Sequence, residues 1–384
     1  MESIYLDHNA TTPLHPEAIR AMTRVLDKGY ANPASQHRPG QQAKRLLEEA
    51  RETVAGILGA NLFGPQPDQL VFTSGGTEAN NLAMLGIAGA RSHGRPGQVI
   101  ISAIEHPSVI GPAEHLLEHG WRLDSLGVDP DGTVYAQRLG ELLSEQTHLV
   151  SVIGANHETG VLQPVAELAA ICNDAGVPLH TDAVQMVGKL PVDFQALGVS
   201  AMSVAAHKFH GPVGIGALIL RNDVPLESIL FGGSQQDGVR PGTEAVVLAV
   251  GMAAALQAWQ EEQDALIKRI TALRERFEGG LNAGWPEVII HGICAPRLPQ
   301  TANVAFPDID GQILATTLSM AGVACSTGSA CASGSTELSP TLLAMEVPRH
   351  LAASSLRFSL GSGNTEEEID EAVCRIIHVC SELR

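Results

Sequence analysis

One lysine of this chain lies in an unusual setting, because Lys208 stands among small and apolar side chains in VAAHKFHGPVGIGAL, residues 204–218. Lysine is strongly hydrated, so one interpretation is a surface side chain of which only the aliphatic stem is covered. The alternative is a desolvated amine, whose lowered pKa makes it nucleophilic and able to form a Schiff base with an aldehyde. Three further motifs favour the second interpretation.

An aspartate and a glutamine follow an apolar run in HTDAVQ, residues 180–185. An acidic side chain at the end of a strand, where parallel sheets bind ligands, keeps a heterocyclic nitrogen protonated in a dry pocket. The alternative is a helix N-cap, which is a common position for aspartate. The motif makes Asp182 and Gln185 candidates for a ring-binding site.

A glycine-rich turn occurs in VFTSGGTEANNLA, residues 71–83, between an apolar run and residues that favour a helix. The first turn of a helix presents N–H groups and the positive end of the helix dipole, which bind phosphate without basic side chains. A plain strand-to-helix turn is the alternative. The run lacks the GxxxxGK[ST] pattern, and GPVGIG, residues 211–216, does not match GxGxxG.

A histidine ends another strand-like run, in EHPS, residues 105–108. The imidazole of His106 is suited to stack on a flat ring or to move a proton. Four strand ends then supply a phosphate cradle, a stacking group, an acidic partner for a ring nitrogen and an amine. These groups suit pyridoxal phosphate, which needs the acidic partner of its ring nitrogen in order to act as an electron sink.

The elements that must position these groups alternate along the first two thirds of the chain. Helix-like stretches such as residues 164–176 separate short runs rich in valine and isoleucine. Those runs are residues 69–74, 98–106, 148–156, 177–183, 200–206 and 216–221. Strand, helix and strand in succession predict an α/β fold with a mostly parallel sheet flanked by helices.

The character of the sequence changes near Trp259, where a long charged helix is predicted to begin. Beyond it, TANVAFPDI and SLRFSLG read as strands, and a final helix opens at TEEEIDEAV with capping-box spacing between Thr365 and Glu368. We expect a large cofactor-binding domain over residues 14–258. A smaller α+β domain is expected to combine residues 1–13 with residues 259–384.

The net charge of −18 argues against nucleic acid, because binding to a phosphate backbone depends on lysine and arginine. The six cysteines show neither a regular framework nor a CxxC pair. This pattern indicates free thiols in a reducing compartment and gives no metal site. The sequence has no apolar run long enough to cross a bilayer and no secretory signal pattern at its start. We expect a cytoplasmic protein without a membrane or nucleic-acid partner.

Over nearly its whole length the chain resembles the cysteine desulfurases of the NifS/IscS group, within the class-V aminotransferases. The shared motifs occur in order: YLDHNATTP, NPAS, FTSGGTEANN, EHPSV, NHETGVLQP, HTDAVQ, HKFHGPVGIGAL, RPGTEAV, STGSACASGS and SSLRFSLG. The resemblance implies a pyridoxal-phosphate-dependent transferase of fold type I. It also implies removal of sulfur from L-cysteine to give L-alanine and a persulfide.

The resemblance assigns roles one position at a time. Lys208 matches the lysine that forms the imine with the cofactor, and His106 matches the histidine that stacks on the ring and assists proton transfer. The remaining cofactor positions, on the ring and the phosphate, are Gly76, Thr77, His157, Asp182, Gln185, His207 and Thr243. Thr243 matches a threonine that reaches the phosphate of the neighbouring subunit, so the resemblance implies a homodimer.

The substrate side of the resemblance rests on three residues. Asn32 and Arg357 match groups that bind the substrate carboxylate, for which the arginine fork is suited. Cys331 matches the nucleophile that receives the sulfur. A cysteine beside alanines can also be a small buried hydrophobe, but a segment this rich in serine and glycine is a poor core segment. The implied partner is a sulfur acceptor, either an iron–sulfur scaffold or a thiolation enzyme.

The chain departs from the family pattern at three positions. His157 stands where many relatives have asparagine, so the contact to the phenolic oxygen of the cofactor comes from its imidazole or shifts to Asn156. Ala205 replaces a common serine and removes one donor to phosphate. Cys325 is either inert or resolves a persulfide on Cys331.

Three rival functions stay open at the level of the sequence. A selenocysteine lyase shares the same motifs, and an aminotransferase or β-lyase would use Lys208 without Cys331. A catalytically silent scaffold that binds the cofactor is the third. The preferred substrate and a Cys331→Ala variant separate them.

Overall fold

The computed structural model describes residues 3–29, 31–328 and 338–384. The strands in these residues are β1 (Ile4–Tyr5), β2 (Gln69–Thr73), β3 (Gln98–Ser102), β4 (Arg122–Leu126), β5 (Thr147–Ser151), β6 (Leu179–Asp182), β7 (Ala201–Ala205), β8 (Gly216–Leu220), β9 (Ile289–Ile290), β10 (Thr301–Ala305), β11 (Val323–Ala324), β12 (Ser326–Thr327) and β13 (Ser355–Ser359). The helices are α1 (Pro16–Lys28), α2 (Arg38–Ile57), α3 (Gly76–Asn81), α4 (Ala88–Ser92), α5 (Pro107–Glu118), α6 (Ala136–Leu142), α7 (Val165–Asp174), α8 (Phe194–Leu197), α9 (Val246–Gly284), α10 (Gly311–Met320), α11 (Pro340–Ala344), α12 (Arg349–Ala353) and α13 (Glu366–Leu383). A π-helical stretch, Leu82–Ile87, continues α3 into α4.

Seven of the described strands form one large sheet in the order β2-β8-β7-β6-β5-β3-β4. Strand β8 is antiparallel to both of its neighbours, and the other pairs are parallel. The mostly parallel sheet predicted from the sequence is therefore confirmed, and each of the six predicted runs overlaps one strand. The parallel strands β3, β5, β6 and β7 end on the same edge, which brings the motifs that follow them together.

Both faces of the large sheet are buried. Successive side chains of a strand point to opposite faces, and in β3 this places Ile100 in one hydrophobic core and Ile101 in another. The first core includes residues of α2, α7 and α9, and the second includes residues of α3 to α5. Helices on both faces explain why the strands read as nearly continuous apolar runs.

Strand β4 was not predicted from the sequence. Its residues, RLDSL, are polar at several positions, and only Leu126 is fully buried. The strand lies at the edge of the sheet, beside β3 alone, so its polar side chains remain in contact with water. An edge strand therefore lacks the apolar run that marked the central strands.

The long helix α9 begins at Val246, earlier than the predicted start at Trp259. Its first half is apolar and packs into the first core through residues such as Met252 and Leu256. A fully buried segment has no polar face, so it lacked the charged pattern on which the prediction was based. The second half contributes Phe277 to a different core and so connects the two parts of the chain.

A second, antiparallel sheet follows the order β12-β13-β10-β9 in the described residues. Its core combines Leu6, Phe277, Phe358 and the apolar face of α13. The predicted capping box of α13 is confirmed, because Thr365 Oγ1 accepts from the Glu368 N–H and the Glu368 carboxylate accepts from the Thr365 N–H. The separate core supports the proposed division of the chain at residues 14–258, which stays a proposal. Within the described ranges, no helix combines the length and apolarity needed to span a membrane.

Candidate active site

The glycine turn at the end of β2 packs closely against the neighbouring strands. Helix α3 begins at Gly76, after Gly75 with a φ of 155°. A Cβ on Gly76 would lie 2.9 Å from Val184 Cγ2 and 3.4 Å from the Cβ of Ala205, so the small side chains are required here. The methyl group of Ala205 therefore lies beneath the turn. Thr77, one residue further, is exposed.

Lys208 lies in a short 3₁₀ turn directly after β7 and is half-buried. Its Nζ donates to two backbone carbonyls of the N-terminal motif, at 2.5 Å to Asn9 O and 2.9 Å to Ala10 O. The Lys189 amine donates to the carbonyl oxygen of Lys208. The amine is thus hydrogen-bonded to two backbone carbonyl groups, which favours the second interpretation over a solvated surface side chain.

Asp182 is the last residue of β6, on the strand next to β7, and its side chain is buried. One carboxylate oxygen accepts from the Val184 N–H at 2.9 Å, and the other accepts from Asn80 Nδ2 at 2.7 Å. The bond from the Val184 N–H caps the turn that follows β6. The bond from Asn80 holds the carboxylate toward α3.

Gln185 converges on the same backbone group as Lys208. Its Nε2 donates to Asn9 O at 3.1 Å, the carbonyl that also accepts from Lys208 Nζ. The Gln185 Oε1 is buried and has no hydrogen-bond partner in the described residues. An unpaired buried oxygen costs about 1–3 kcal/mol, so a site that leaves one here is suited to a donor brought by a ligand.

His106 caps α5 and is tied to Asp182 through two polar side chains. Its Nδ1 accepts from the Ser108 N–H at 3.1 Å and lies 2.7 Å from Ser108 Oγ. Asn80 Nδ2 donates to Ser108 Oγ at 2.8 Å as well as to Asp182. Burial lowers the pKa of His106, and because Nδ1 accepts, the neutral ring carries its proton on Nε2. The sequence interpretation missed Asn80 and Ser108, although both lie inside recognised motifs.

The structure distinguishes His157 from Asn156. The Asn156 Oδ1 accepts from the N–H groups of Glu158 and Thr159, and its Nδ2 donates to Ile104 O at 3.1 Å, so this amide is already used. The ring of His157 meets that of His106 edge-on, with centroids 5.1 Å apart, and its Nδ1 is buried without a partner among the described residues. Burial holds the pKa of His157 well below its usual value. Of the two alternatives, the imidazole is the group left available.

Arg357 lies in β13 with its side chain buried. One guanidinium nitrogen donates to Asp7 Oδ1 at 2.8 Å and another to His157 O at 3.0 Å, which connects the second sheet to the histidine pair. Asn32 lies in the connection between α1 and α2, is exposed, and accepts from the Ala34 N–H at 2.9 Å. The two residues predicted to bind the substrate carboxylate therefore differ in their surroundings. Arg357 is buried in the second sheet, and Asn32 is exposed in a connection between two helices.

The other two residues predicted to bind the cofactor phosphate, His207 and Thr243, lie in different segments. His207 precedes Lys208, and its Nδ1 lies 3.3 Å from Thr11 Oγ1. Burial lowers the pKa of His207 to about 4, so its ring is neutral at physiological pH. Thr243 is exposed in the segment before α9.

Cys331 lies outside the described residues. Its neighbour in sequence, Cys325, is described between β11 and β12 as a free thiol. Burial raises the pKa of Cys325 to about 12, so the thiol stays protonated and is a poor nucleophile. Of the two alternatives for Cys325, this environment favours the inert one. In the described residues, no group of three His, Cys, Asp or Glu side chains is arranged to hold a metal ion.

These residues fit pyridoxal phosphate. The fit rests on the close packing around Gly76, on the buried carboxylate of Asp182 and on the Lys208 amine, which is hydrogen-bonded to two carbonyl groups. The unpaired atoms Gln185 Oε1 and His157 Nδ1 supply further polar contacts for a heterocycle.

Comparison with known proteins identifies the family of the chain. The chain matches the class-V aminotransferase family over residues 4–372. It is 42% identical to an IscS-like cysteine desulfurase of Mycobacterium tuberculosis, over 96% of this chain and 94% of that protein. It is 38% identical to the cysteine desulfurase NifS of Azotobacter vinelandii, over 100% of this chain and 94% of that protein.

Solved structures support the same relationship. A NifS-like protein superposes with a TM-score of 0.91 at 34% identity and covers 99% of this chain and 100% of its own. The NifS-like protein of Rickettsia africae superposes with a TM-score of 0.89 at 32% identity, with coverage of 98% and 99%. The predicted fold class is confirmed by these likenesses and by the mostly parallel sheet. The chain is therefore a member of the class-V aminotransferase family and, within it, of the cysteine desulfurases of the IscS and NifS type.

Proposed function

We propose that this cysteine desulfurase binds pyridoxal phosphate at Lys208 and converts L-cysteine into L-alanine, leaving the sulfur as a persulfide on Cys331. The observation that carries the proposal is the placement of two groups on adjacent strands. The Lys208 amine follows β7, and the buried Asp182 carboxylate ends β6. When bound, pyridoxal phosphate supplies an electron sink that stabilises negative charge at the substrate α-carbon.

The residues of the chain bind the cofactor and transfer the protons of the reaction. Asp182 keeps the ring nitrogen protonated, and Lys208 removes the α-proton of the substrate once its amine is free. His106 stacks on the ring and holds a proton near the substrate thiol through Nε2. Gln185 and His157 would supply polar contacts to the ring through Gln185 Oε1 and His157 Nδ1. The phosphate is bound by Gly76, Thr77 and His207, with Thr243 of the second subunit.

The substrate carboxylate is bound by Arg357 and Asn32. The guanidinium of Arg357 keeps the orientation set by Asp7 and His157 O. In the sulfur transfer, the Cys331 thiolate attacks the substrate sulfur, the carbon–sulfur bond breaks and a sulfur–sulfur bond forms. The electron pair of the broken bond ends in alanine, so no external oxidant is needed.

A homodimer is part of the proposal. Thr243 is exposed, and Phe231, in the segment that leads to it, is 96% exposed. An apolar ring in water is unfavourable, so a second copy that covers this segment explains both features. The proposed acceptor of the sulfur is an iron–sulfur scaffold or a thiolation enzyme. The free thiols at Cys172, Cys294, Cys325, Cys374 and Cys380 support the cytoplasm as the compartment.

Three variants test the assignment. Lys208→Ala should lose both the visible absorbance of the bound cofactor and all turnover. Cys331→Ala should keep that absorbance but lose formation of alanine and sulfide from L-cysteine in the presence of a thiol reductant. Cys325→Ala is the matched control and should retain activity, because a pKa raised to about 12 keeps the Cys325 thiol protonated.

Two outcomes would overturn the proposal. Full activity of Cys331→Ala on L-cysteine would exclude the persulfide step. A much higher kcat/KM for L-selenocysteine than for L-cysteine would indicate a selenocysteine lyase.

A further inference from the structure

Two consecutive non-glycine residues, Gln236 and Asp237, have left-handed backbone conformations. Their φ and ψ angles are 48° and 50° for Gln236 and 58° and 27° for Asp237. A side chain makes this conformation unfavourable, at about 1–3 kcal/mol for each residue, and it persists only where surrounding contacts enforce it. The segment 234–243, which contains both residues and ends at Thr243, is therefore held in place by specific contacts.

The first such contact is a pair of hydrogen bonds to the edge of the large sheet. Gln236 Oε1 accepts from the Phe72 N–H at 2.7 Å, and Gln236 Nε2 donates to Phe72 O at 2.8 Å. The side-chain amide thus occupies the place that the peptide of a neighbouring strand would take beside β2. Arg51 also donates to Gln236 Oε1, at 3.2 Å. These bonds fix the strained residue to a strand of the core.

The second contact is an ion pair with the glycine turn of the same subunit. Arg240 Nε lies 2.7 Å from Glu78 Oε1, and Arg240 Nη2 lies 3.2 Å from Glu78 Oε2, which makes a two-point pair that is mostly shielded from water. The Glu78 carboxylate also accepts from the Ser74 N–H at 2.7 Å. The pair therefore connects segment 234–243 to the turn that contains Gly76. Two-point pairs of this kind fix orientation as well as distance.

Thr243 follows directly after these anchors. The Gly242 N–H donates to Gln235 Oε1 at 3.1 Å, which closes the turn before Thr243. We infer that Gln236 and Arg240 are positioning residues for Thr243, and that they act on the cofactor phosphate bound by the partner subunit. The inference rests on the proposed function, in which Thr243 reaches that phosphate.

Displacement of Thr243 should change ligand affinity in a way that a general loss of stability would not. Thr243 contacts only the phosphate, so its displacement weakens binding of pyridoxal phosphate and leaves binding of pyridoxal, which has no phosphate, unchanged. A loss of folding would weaken both ligands by the same factor. Comparison of the two ligands therefore separates a positioning role from a structural one.

The first experiment measures the affinity of both ligands for dimeric apoprotein by absorbance titration. Arg240→Gln and Gln236→Ala should each bind pyridoxal phosphate at least about tenfold more weakly and pyridoxal as the wild type does. Arg240→Lys should show a smaller loss, because lysine keeps the charge without the two-point geometry. If Arg240→Gln does not fold, Arg240→Lys and Gln236→Ala carry the comparison.

Arg221→Gln is the matched control. Arg221 also makes a two-point pair, with Asp223, but this pair follows β8 and is exposed. Its loss should change neither affinity. Equal weakening of pyridoxal and pyridoxal phosphate in the Arg240 and Gln236 variants would overturn the inference, and so would unchanged binding of both.

The second experiment asks which subunit's segment 234–243 affects binding of pyridoxal phosphate. It uses heterodimers in which only one subunit keeps Lys208, so that each dimer has one intact site. Gln236→Ala is used here, because Gln236 bonds to the Phe72 backbone and not to Glu78 of the phosphate turn. When a Lys208→Ala subunit also carries Gln236→Ala and is paired with a wild-type subunit, the intact site should bind pyridoxal phosphate weakly. When Gln236→Ala is instead on the subunit that keeps Lys208, the intact site should bind normally. The reverse pattern would overturn the inference. A wild-type protein that binds no pyridoxal phosphate would instead contradict the proposed function itself.

Discussion

Asn80 Nδ2 donates at 2.7 Å to Asp182 Oδ2 and connects the first helix after the glycine turn to the end of β6. The same nitrogen donates to Ser108 Oγ, which lies 2.7 Å from His106 Nδ1. One amide therefore sets the relative positions of the Asp182 carboxylate and the His106 imidazole. These groups come from three separate motifs of the sequence.

Asn80→Asp should be strongly deleterious at neutral pH. The substitution preserves shape but places a second carboxylate against Asp182, and repulsion in a buried site is unfavourable. We expect cofactor affinity and kcat to fall by at least about tenfold at pH 7.5 and to recover partly toward pH 6, as one carboxyl takes up a proton. Asn81→Asp, at the neighbouring and less buried position, should cost much less. Equal losses in the two variants would contradict the role of Asn80.

Glu105→Gln should change the pH dependence of stability. Burial raises the pKa of Glu105 from 4.5 to about 8, while its Oε1 accepts from Ser102 Oγ and from the Ile153 N–H. Between these two pH values the unfolded chain loses the proton and the folded chain keeps it, so stability falls as the pH rises. From pH 4.5 to pH 7 the loss is about 3 kcal/mol.

Glutamine cannot ionise, and its carbonyl still accepts both hydrogen bonds. Urea unfolding of the apoprotein at pH 5, 6, 7 and 8 should therefore show a flatter profile for Glu105→Gln than for the wild type. Glu105→Ala should be less stable at every pH, because two buried donors lose their acceptor. Parallel profiles for the wild type and Glu105→Gln would show that Glu105 is ionised in the folded protein.

His180 should make the protein sensitive to acid. Its ring nitrogens each lie 2.9 Å from a serine Oγ, of Ser151 and Ser203, and burial lowers its pKa to about 3. Below the usual pKa of 6.5 the unfolded chain takes up a proton that the folded chain does not. Stability therefore falls with the pH, by about 2 kcal/mol from pH 6.5 to pH 5 for this residue.

The test compares urea unfolding at pH 7.5 and pH 5. His180→Gln should be less stable than the wild type at pH 7.5 but should lose less stability on acidification. His378→Gln, at an exposed position of α13, should follow the wild type at both values. An unchanged slope in His180→Gln would contradict the prediction.

Glu278→Ala should destabilise the core of the second sheet, to which the flanking residue Phe277 belongs. Arg297 donates to both oxygens of Glu278, at 2.7 and 3.1 Å, and both side chains are nearly buried. Removal of the carboxylate leaves a buried positive charge without its partner, which costs about 3–5 kcal/mol. The loss should appear in the urea midpoint at pH 7.5.

The matched control is Asp370→Asn on α13. Asp370 makes a two-point pair with Arg276 at 2.6 Å, but both side chains are about half exposed and Arg276 keeps Glu366 as a partner. Water screens such pairs, so the midpoint should barely move. Similar losses in the two variants would show that burial does not set the difference.

Much of the fold could be predicted from the sequence, because buried side chains produce apolar patterns within short segments. The central strands were predicted because side chains buried on both faces of a sheet produce short apolar runs. The capping box of Thr365 and Glu368 was predicted because both partners lie within one turn. Strand β4 and the first half of α9 were missed, since an edge strand keeps polar side chains and a buried helix lacks a polar face.

The sequence by itself determined the chemistry of this protein, because side-chain types and their order along the chain specify an amine, a carboxylate, an imidazole and a phosphate turn. Only the tertiary structure decided which residues form hydrogen bonds and ion pairs with these groups. In the structure the Asn156 amide bonds to the backbone, the His157 imidazole keeps an unpaired nitrogen, and the thiol of Cys325 is partly buried. Gln236 and Arg240 anchor the segment before Thr243. These contacts join residues distant in sequence, and their energies depend on burial and geometry that exist only once the strands and helices have packed.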